Sequence, residues 1–299
     1  MIEIKNLSKS YGEIKSVNSM FASIKKGSVF GLVGSNGSGK STLLRMVSGI
    51  LKADDGSISV DGESVWDNPV AKARLFYLSD DQFFFSHSTI RENAAFLATV
   101  YPKFDRKLTE QLCETFGLSP TRKINTFSKG MQKQASVILA LSAKPDYMLC
   151  DETFDGLDPV VRQLVKRLIA NEVAEREMTV ILASHNLREL EDICDHLVLL
   201  HKGEMLFECD IDSLKDNVRT VQAMFKDPPE DLFCDGLSFG SISRRGSMIS
   251  CVVKGDESVC RKYFDSLSPE FYELIPLSLE EIFITEMEEK GYDANHLIG

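Results

Sequence analysis

Nine residues near the start of the chain limit its fold more than any other feature. The segment Gly34-Ser35-Asn36-Gly37-Ser38-Gly39-Lys40-Ser41-Thr42 matches the pattern G-x-x-x-x-G-K-[ST]. A compact apolar run precedes it and a helical pattern follows it, which is the context that this motif requires. Backbone N–H groups in such a loop converge on phosphate oxygens, and the following helix N-terminus adds partial positive charge. We therefore expect Lys40 to bind the β- and γ-phosphates of a nucleotide and Ser41 to ligate Mg²⁺.

The overall charge makes this local anion site more informative. Lys and Arg number 34 and Asp and Glu number 45, which gives a net charge of −11. Such a surface repels phosphates over most of its area, so we expect no nucleic-acid partner. Seven scattered cysteines without a C-x-x-C pair do not fit a disulfide or metal framework, and no stretch is apolar enough to span a membrane. Together with the lack of a signal-peptide pattern, these features predict a cytoplasmic location.

Apolar runs alternate with helical patterns through the first two hundred residues. This alternation predicts a layered α/β domain with a largely parallel central sheet. The runs at 2–4, 17–24 and 57–60 look like an antiparallel edge instead. The pattern changes near residue 210, and strand and helix patterns of a small α+β region follow. We expect an α/β domain over 1–215 and an α+β domain over 216–299, with a last helix over 279–290 and fraying of 292–299.

A second acidic motif follows the apolar run at 147–150. There Asp151 and Glu152 end a strand pattern, and acids often close a strand without further meaning. Beside a phosphate loop, however, the first acid is placed near the Mg²⁺ ion. The second can orient or deprotonate an attacking water. The pair predicts Asp151 as a metal residue and Glu152 as a catalytic base.

The segment 127–132, Phe-Ser-Lys-Gly-Met-Gln, comes directly before another helical pattern. Ser128 can simply cap that helix. Together with the two motifs above, the segment resembles the signature of the ATPase subunits of ATP-binding cassette (ABC) transporters. Ser128 and Gly130 match the family pattern, whereas Lys129 and Met131 depart from its Leu-Ser-Gly-Gly-Gln form. The Ser-Lys-Gly-Met variant resembles an exporter-type subgroup. The resemblance implies a phosphate-loop NTPase core with an antiparallel β edge and a helical subdomain, plus the small C-terminal α+β domain.

Other positions match family elements one by one. Tyr11 resembles the aromatic residue that stacks on adenine, although a core or surface tyrosine is the alternative. Asp158 matches the acid of the loop that couples two ATP sites. His185, at the end of a strand pattern, matches the histidine that senses the γ-phosphate. The resemblance implies that Ser128, Gly130 and Asp158 act at the nucleotide, with ATP and Mg²⁺ as ligands.

One family element departs more strongly. Where the family places a glutamine that contacts Mg²⁺, this chain has Ser79-Asp80-Asp81-Gln82. The aligned residue is Asp80, and a carboxylate ligates Mg²⁺ as well as an amide does. Gln82, two residues later, is the alternative, and turn chemistry alone also explains two aspartates.

The resemblance implies an ATP-hydrolysing subunit that dimerises around ATP, as a homodimer or a heterodimer, and powers a separate membrane subunit. Export is favoured by the subgroup, with the subunit peripheral on the inner face of the membrane. A soluble ABC-type ATPase acting on ribosomes or DNA is the alternative, but relatives of that kind have two cassettes or long coiled coils. The aromatic segment Phe83-Phe84-Phe85 and the helix pattern at 90–101 are predicted to line the groove for the membrane subunit.

Overall fold

A computed structural model describes residues 1–289, and the chain forms two compact units that divide between Glu208 and Cys209. This division lies a few residues before the predicted boundary at 215. The predicted end of the last helix at Lys290 and the predicted fraying of residues 292–299 lie outside the described residues.

The elements of the first unit, the last of which continues two residues past the division, alternate between strands and helices after an opening hairpin. In chain order they are β1 (Ile2–Tyr11), β2 (Ile14–Ile24), β3 (Val29–Val33), α1 (Lys40–Val47), β4 (Asp55–Val60), β5 (Glu63–Ser64), α2 (Pro69–Lys72), β6 (Leu75–Leu78), α3 (Ile90–Val100), α4 (Arg106–Phe116), a 3₁₀ turn (Ile124–Thr126), α5 (Lys129–Ser142), β7 (Tyr147–Asp151), α6 (Pro159–Arg176), β8 (Thr179–Ser184), α7 (Leu187–Glu191), β9 (His196–His201) and β10 (Glu204–Asp210).

Two sheets and a group of helices make up this unit. The central sheet has the order β10-β9-β3-β8-β7-β6, and the strands from β9 to β6 in this order pair with one another in parallel. The predicted antiparallel strands pair among themselves as a separate sheet, β2-β1-β4-β5, because β1 bonds to β2 on one side and to β4 on the other. Helices α3, α4 and α5 pack on one another as a helical subdomain. The α/β phosphate-loop fold predicted from the sequence is confirmed.

The main hydrophobic core joins side chains of both sheets with helix α1. Leu43, Leu44 and Val47 form one apolar face of that helix and are fully buried, together with Ile2 of β1 and Phe30 of β3. Burying one such side chain contributes about 1.5–3 kcal/mol. This core therefore fixes α1 firmly, and with it the loop that precedes the helix.

The parallel strands all end at the same edge of the central sheet. The loops that follow β3, β6, β7 and β8 begin at that edge, where ligands of open α/β sheets bind. The sequence motifs at 34–42, 79–82, 151–152 and 184–185 are located at the ends of these strands. Topology thus collects motifs that are far apart in the sequence.

The elements of the second unit are α8 (Ile211–Asn217), β11 (Val218–Met224), β12 (Ser238–Arg245), β13 (Met248–Lys254), α9 (Glu257–Ser266), β14 (Phe271–Pro276) and α10 (Leu279–Glu289). Its strands form an antiparallel sheet of order β12-β13-β11-β14. Its core contains Val221, Cys251 and Phe264. Strand β12 was not predicted, because it is largely polar and exposed and shows no clear apolar alternation.

Candidate functional site

The phosphate loop, residues 34–42, connects the buried strand β3 to helix α1. Two of its glycines have no room for a side chain. A Cβ at Gly34 would lie 2.3 Å from a backbone oxygen of β9, and one at Gly39 would lie 2.2 Å from a backbone oxygen of β2. Gly39 also has φ +108°, which residues with a Cβ rarely adopt. Packing against both sheets therefore requires glycine at these two positions of the motif.

The Lys40 side chain folds back over the phosphate loop. Its Nζ donates to Gly34 O at 2.5 Å and to Ser35 O at 3.3 Å, and it lies 3.4 Å from Glu152 Oε1. Only 5% of the side chain is exposed, so these oxygens compensate the ammonium for its lost hydration. An ammonium held in this loop can bind the anionic oxygens of a nucleotide.

Asp151, at the end of β7, faces the start of helix α1. Ser41 Oγ donates to its Oδ1 at 2.9 Å, and the Tyr77 hydroxyl donates to its Oδ2 at 2.8 Å. Asp151 is only 1% exposed. A hydroxyl and a carboxylate oxygen side by side are the hard ligands that Mg²⁺ prefers. The residues present therefore fit a magnesium ion held by Ser41 and Asp151.

Tyr77 lies on β6, beside β7. Burial, followed by the negative charge of Asp151, raises the pKa of Tyr77 to about 12, while the guanidinium of Arg45 acts in the opposite direction. The hydroxyl therefore keeps its proton at neutral pH and acts as the donor to Asp151.

Glu152 follows Asp151 and adopts the left-handed conformation, with φ +47°. Its Oε2 lies 3.0 Å from His185 Nδ1 and accepts from the His185 backbone N–H at 3.4 Å. Asp155 Oδ2 lies 3.9 Å from the same ring nitrogen. A carboxylate in this position, with Lys40 on its other oxygen, can accept a proton from a water molecule.

The loop after β6 contains both candidates for the additional metal contact. Asp80 Oδ1 lies 3.0 Å from Lys133 Nζ, and Lys133 also donates to Glu152 O at 2.9 Å. Gln82 Nε2 donates to Ser79 O and, at 3.2 Å, to Asp80 O. Asp80 thus pairs with a lysine of α5, and Gln82 hydrogen-bonds to carbonyl groups of its own loop. Asp80 as the additional metal ligand, with Gln82 as the alternative, stays a prediction.

Ser128 and Asp158 both cap helices in this structure. Ser128 Oγ accepts from Met131 N at 3.3 Å at the start of α5. Asp158 Oδ1 accepts from two backbone N–H groups of α6, at 3.1 and 3.0 Å. A Cβ at Gly130 would lie 3.2 Å from Gly156 O, so the signature segment and the loop before α6 are neighbours. The roles of Ser128, Gly130 and Asp158 at a nucleotide stay predictions.

Tyr11 is located at the end of β1, and about half of its side chain is exposed. Lys9 Nζ lies 6.0 Å from the ring centroid. An exposed ring of this kind can stack on a nucleotide base. Its contact with adenine also stays a prediction.

Sequence reasoning missed Tyr77 and Lys133, which contact the two acids at the end of β7. Tyr77 occurs within the apolar run of β6, and its hydroxyl is the one polar side-chain group there. Lys133 is one of several polar residues in the first turns of α5. The only signal for Tyr77 was a polar atom on a strand next to β7, and we find none for Lys133.

A groove of about 400 Å³ adjoins the loop after β6. Aromatic side chains dominate its lining: Phe85 and Phe96 contact edge to face, with ring centroids 4.9 Å apart, and Phe83 is 85% exposed. Leu97 of α3 and Leu139 of α5 complete its apolar wall. Phe83 is thus the most exposed of the three adjacent phenylalanines at 83–85. Within residues 1–289, none of the helices combines the length and apolarity needed to cross a bilayer.

The fold and the site together define a phosphate-loop NTPase. Three features meet at one edge of the parallel sheet: the phosphate loop after β3, the acids Asp151 and Glu152 at the end of β7, and His185 after β8. Strand β8 lies between β3 and β7.

Comparison with known proteins narrows this class. The ABC transporter family model matches residues 17–155. The chain is 31% identical over 290 residues to the ABC transporter ATP-binding protein YtrB of Bacillus subtilis, covering 97% of this chain and 99% of that protein. It is 32% identical to the bacitracin transport ATP-binding protein BcrA of Bacillus licheniformis, covering 73% of this chain and 72% of that protein.

A solved structure with a similar fold has a TM-score of 0.65 and 23% sequence identity. It covers 71% of this chain and 99% of its own, and shows an ATP-binding cassette in a dimeric post-hydrolysis state with ADP and phosphate. This chain belongs to the ATP-binding subunits of ABC transporters, and it is an ATPase.

Proposed function

We propose that the residues gathered at the edge of the central sheet divide ATP hydrolysis among them. The phosphate loop and Lys40 bind the phosphates, Ser41 and Asp151 hold Mg²⁺, and Glu152 accepts the proton of the attacking water. The magnesium ion, when bound, would offset negative charge on the phosphates. The observation that supports this assignment most directly is the position of Glu152, between Lys40 and His185.

The remaining contacts of the site are proposed from the same geometry. His185, whose Nδ1 faces Glu152, contacts the γ-phosphate, and Tyr11 stacks on adenine. Asp80 is the additional metal residue, with Gln82 as the alternative. A metal at Asp80 would compete with Lys133 for the carboxylate.

Two substitutions separate binding from chemistry. Glu152→Gln keeps the shape of the side chain but removes its basicity, so it should retain ATP affinity and lose turnover by about 10²–10⁴-fold. Lys40→Ala removes the ammonium of the phosphate loop and should lose nucleotide binding. ATP binding is measured by fluorescence of a labelled nucleotide, and turnover by phosphate release. Wild-type turnover of Glu152→Gln would show that another group activates the water.

We also propose that two cassettes complete each ATP site together. Ser128 and Gly130 of one chain donate to the γ-phosphate bound by its partner, and Asp158 lies in the coupling loop between them. The proximity of Gly130 to Gly156 supports a common surface for these segments. The dimeric cassette of similar fold supports the same arrangement. The partner is a second copy or a paralogue.

Mixing two damaged chains tests this dimer. A Lys40→Ala chain and a Ser128→Arg chain should together form one intact site and one site with both defects. The mixture should then hydrolyse ATP faster than either variant alone. Wild-type activity that stays proportional to protein concentration far into the dissociated range would instead show a self-sufficient monomer.

The apolar groove beside Asp80 is proposed to receive an integral-membrane subunit. Asp80, in the loop beside the groove, would pass nucleotide-driven movement to that subunit, and the exposed Phe83 suits an interface anchor. The chain would then be cytoplasmic and peripheral on the inner face of the membrane. The Ser-Lys-Gly-Met segment and a relative named for bacitracin transport support an exporter.

Phe83→Ser should weaken recovery of the membrane subunit from native membranes without changing the thermal unfolding of the purified chain. Phe233→Ser is the matched control, since Phe233 is exposed to a similar extent (78%) in the second unit. Equal recovery with the wild type and with Phe83→Ser would exclude the groove as the docking site.

A further inference from the structure

The carboxylate of Asp151 is held at both of its oxygens. Ser41 Oγ contacts Oδ1 at 2.9 Å, and the Tyr77 hydroxyl contacts Oδ2 at 2.8 Å. A carboxylate held by one donor can rotate about its terminal bond, whereas two donors on opposite oxygens fix its plane. Tyr77 therefore determines which oxygen of Asp151 faces the start of α1.

Tyr77 and Asp151 belong to neighbouring parallel strands, β6 and β7, whereas Ser41 belongs to α1. The two hydrogen bonds to Asp151 thus link the helix to both strands through one carboxylate. Arg45, four residues after Ser41 on α1, adds a positive charge that acts on both Tyr77 and Asp151.

We propose that Tyr77 is a positioning residue for the magnesium site of Ser41 and Asp151. This inference rests on the proposed function, which assigns Mg²⁺ to those two residues. Hydrogen-bond partners of metal-ligating carboxylates typically affect metal affinity or activity about 10–100-fold. Tyr77 touches neither nucleotide nor metal in this scheme and acts only through Asp151.

Tyr77→Phe removes the hydroxyl and keeps the ring. We expect the Mg²⁺ concentration for half-maximal ATPase activity to rise about tenfold or more. Direct binding of Mn²⁺, followed by the electron paramagnetic resonance signal of the free ion with ADP present, should weaken by the same factor. Binding of ADP without metal should stay at the wild-type value, because the phosphate loop is unchanged.

A control variant separates this effect from loss of packing. Tyr101→Phe removes another buried hydroxyl, which donates to Leu75 O at 3.1 Å at the opposite end of β6, and should leave Mn²⁺ binding unchanged. Wild-type Mn²⁺ affinity in Tyr77→Phe, or equal losses in Tyr77→Phe and Tyr101→Phe, would overturn the inference.

Asp151→Asn distinguishes this inference from the proposed function beneath it. If Asp151→Asn abolishes Mn²⁺ binding and Tyr77→Phe does not weaken it, only the role of Tyr77 is wrong. If Asp151→Asn itself binds Mn²⁺ like the wild type, the magnesium assignment is wrong and the inference falls with it.

Discussion

Lys133 joins two loops of the site, and its replacement by methionine gives a quantitative test of the structure. Its ammonium donates to Glu152 O at 2.9 Å and pairs with Asp80 at 3.0 Å, with 13% of the side chain exposed. A hydrogen bond from a charged group contributes about 1.5–3 kcal/mol. Asp155 N also donates to the Glu152 carbonyl, at 3.3 Å, so that oxygen keeps a partner and the lower end applies. The ion pair adds about 0–1 kcal/mol, because Asp80 is largely exposed.

The expected loss of unfolding free energy for Lys133→Met is therefore about 1.5–2.5 kcal/mol, the sum of the two contributions. For a unit of this size it corresponds to a Tm lower by about 3–10 °C. Because the chain has two compact units, the relevant transition is the one that ATP shifts upward. Differential scanning calorimetry with and without nucleotide identifies it.

Asp80→Asn is the matched control, since it removes the ion pair and leaves the bond to the Glu152 carbonyl. Its loss should stay below about 1 kcal/mol, and the double variant should unfold at nearly the same temperature as Lys133→Met. Equal losses in the two single variants would refute the reasoning, because the bond to the carbonyl would then contribute nothing.

Three other predictions concern separate parts of the chain. At pH 8 an alkylating reagent should modify Cys209 and Cys234 in the native protein and spare the five buried thiols. Burial raises the pKa of Cys150, for example, to about 12, so its reactive thiolate is scarce at that pH. Mass spectrometry of the peptides that contain Cys150 checks this. Asp158→Ala should destabilise the first unit by about 0.5–2 kcal/mol, because α6 loses its N-terminal cap. Asp158→Asn should keep the wild-type Tm, since asparagine also caps helices. Equal Tm values for Asp158→Ala and the wild type would contradict the capping role. Burial raises the pKa of Tyr101 to about 12, whereas a tyrosine in the unfolded chain ionises near pH 10. The free energy of unfolding should therefore fall as pH rises from 10 to 12. Urea unfolding should show a smaller fall over this range in Tyr101→Phe.

The predictable part of the site is the part that local sequence determines. The phosphate loop was found because its glycines, lysine and helix start occur within nine consecutive residues. Asp151 was found because it ends the run of buried residues in β7, and His185 because it directly follows the buried run of β8. The parallel topology then brings these strand ends together, as expected for an α/β fold.

The contacts that were missed depend on which elements become neighbours. Tyr77 reaches Asp151 only because β6 pairs with β7, and that pairing is not encoded near either residue. Lys133 meets Asp80 because α5 packs near the loop after β6, about fifty residues earlier in the chain. The same reason leaves Asp80 and Gln82 undecided: their roles depend on side-chain direction, which spacing alone does not determine.

The exposed Phe83 has a consequence for the purified subunit in solution. Its ring adjoins an apolar groove on a protein whose net charge of −11 keeps copies apart by repulsion. Salt screens that repulsion but does not weaken apolar contact, so colloidal stability should decrease as ionic strength rises. A preparation that is monodisperse at low salt would then self-associate at high salt through the very surface that its partner would cover.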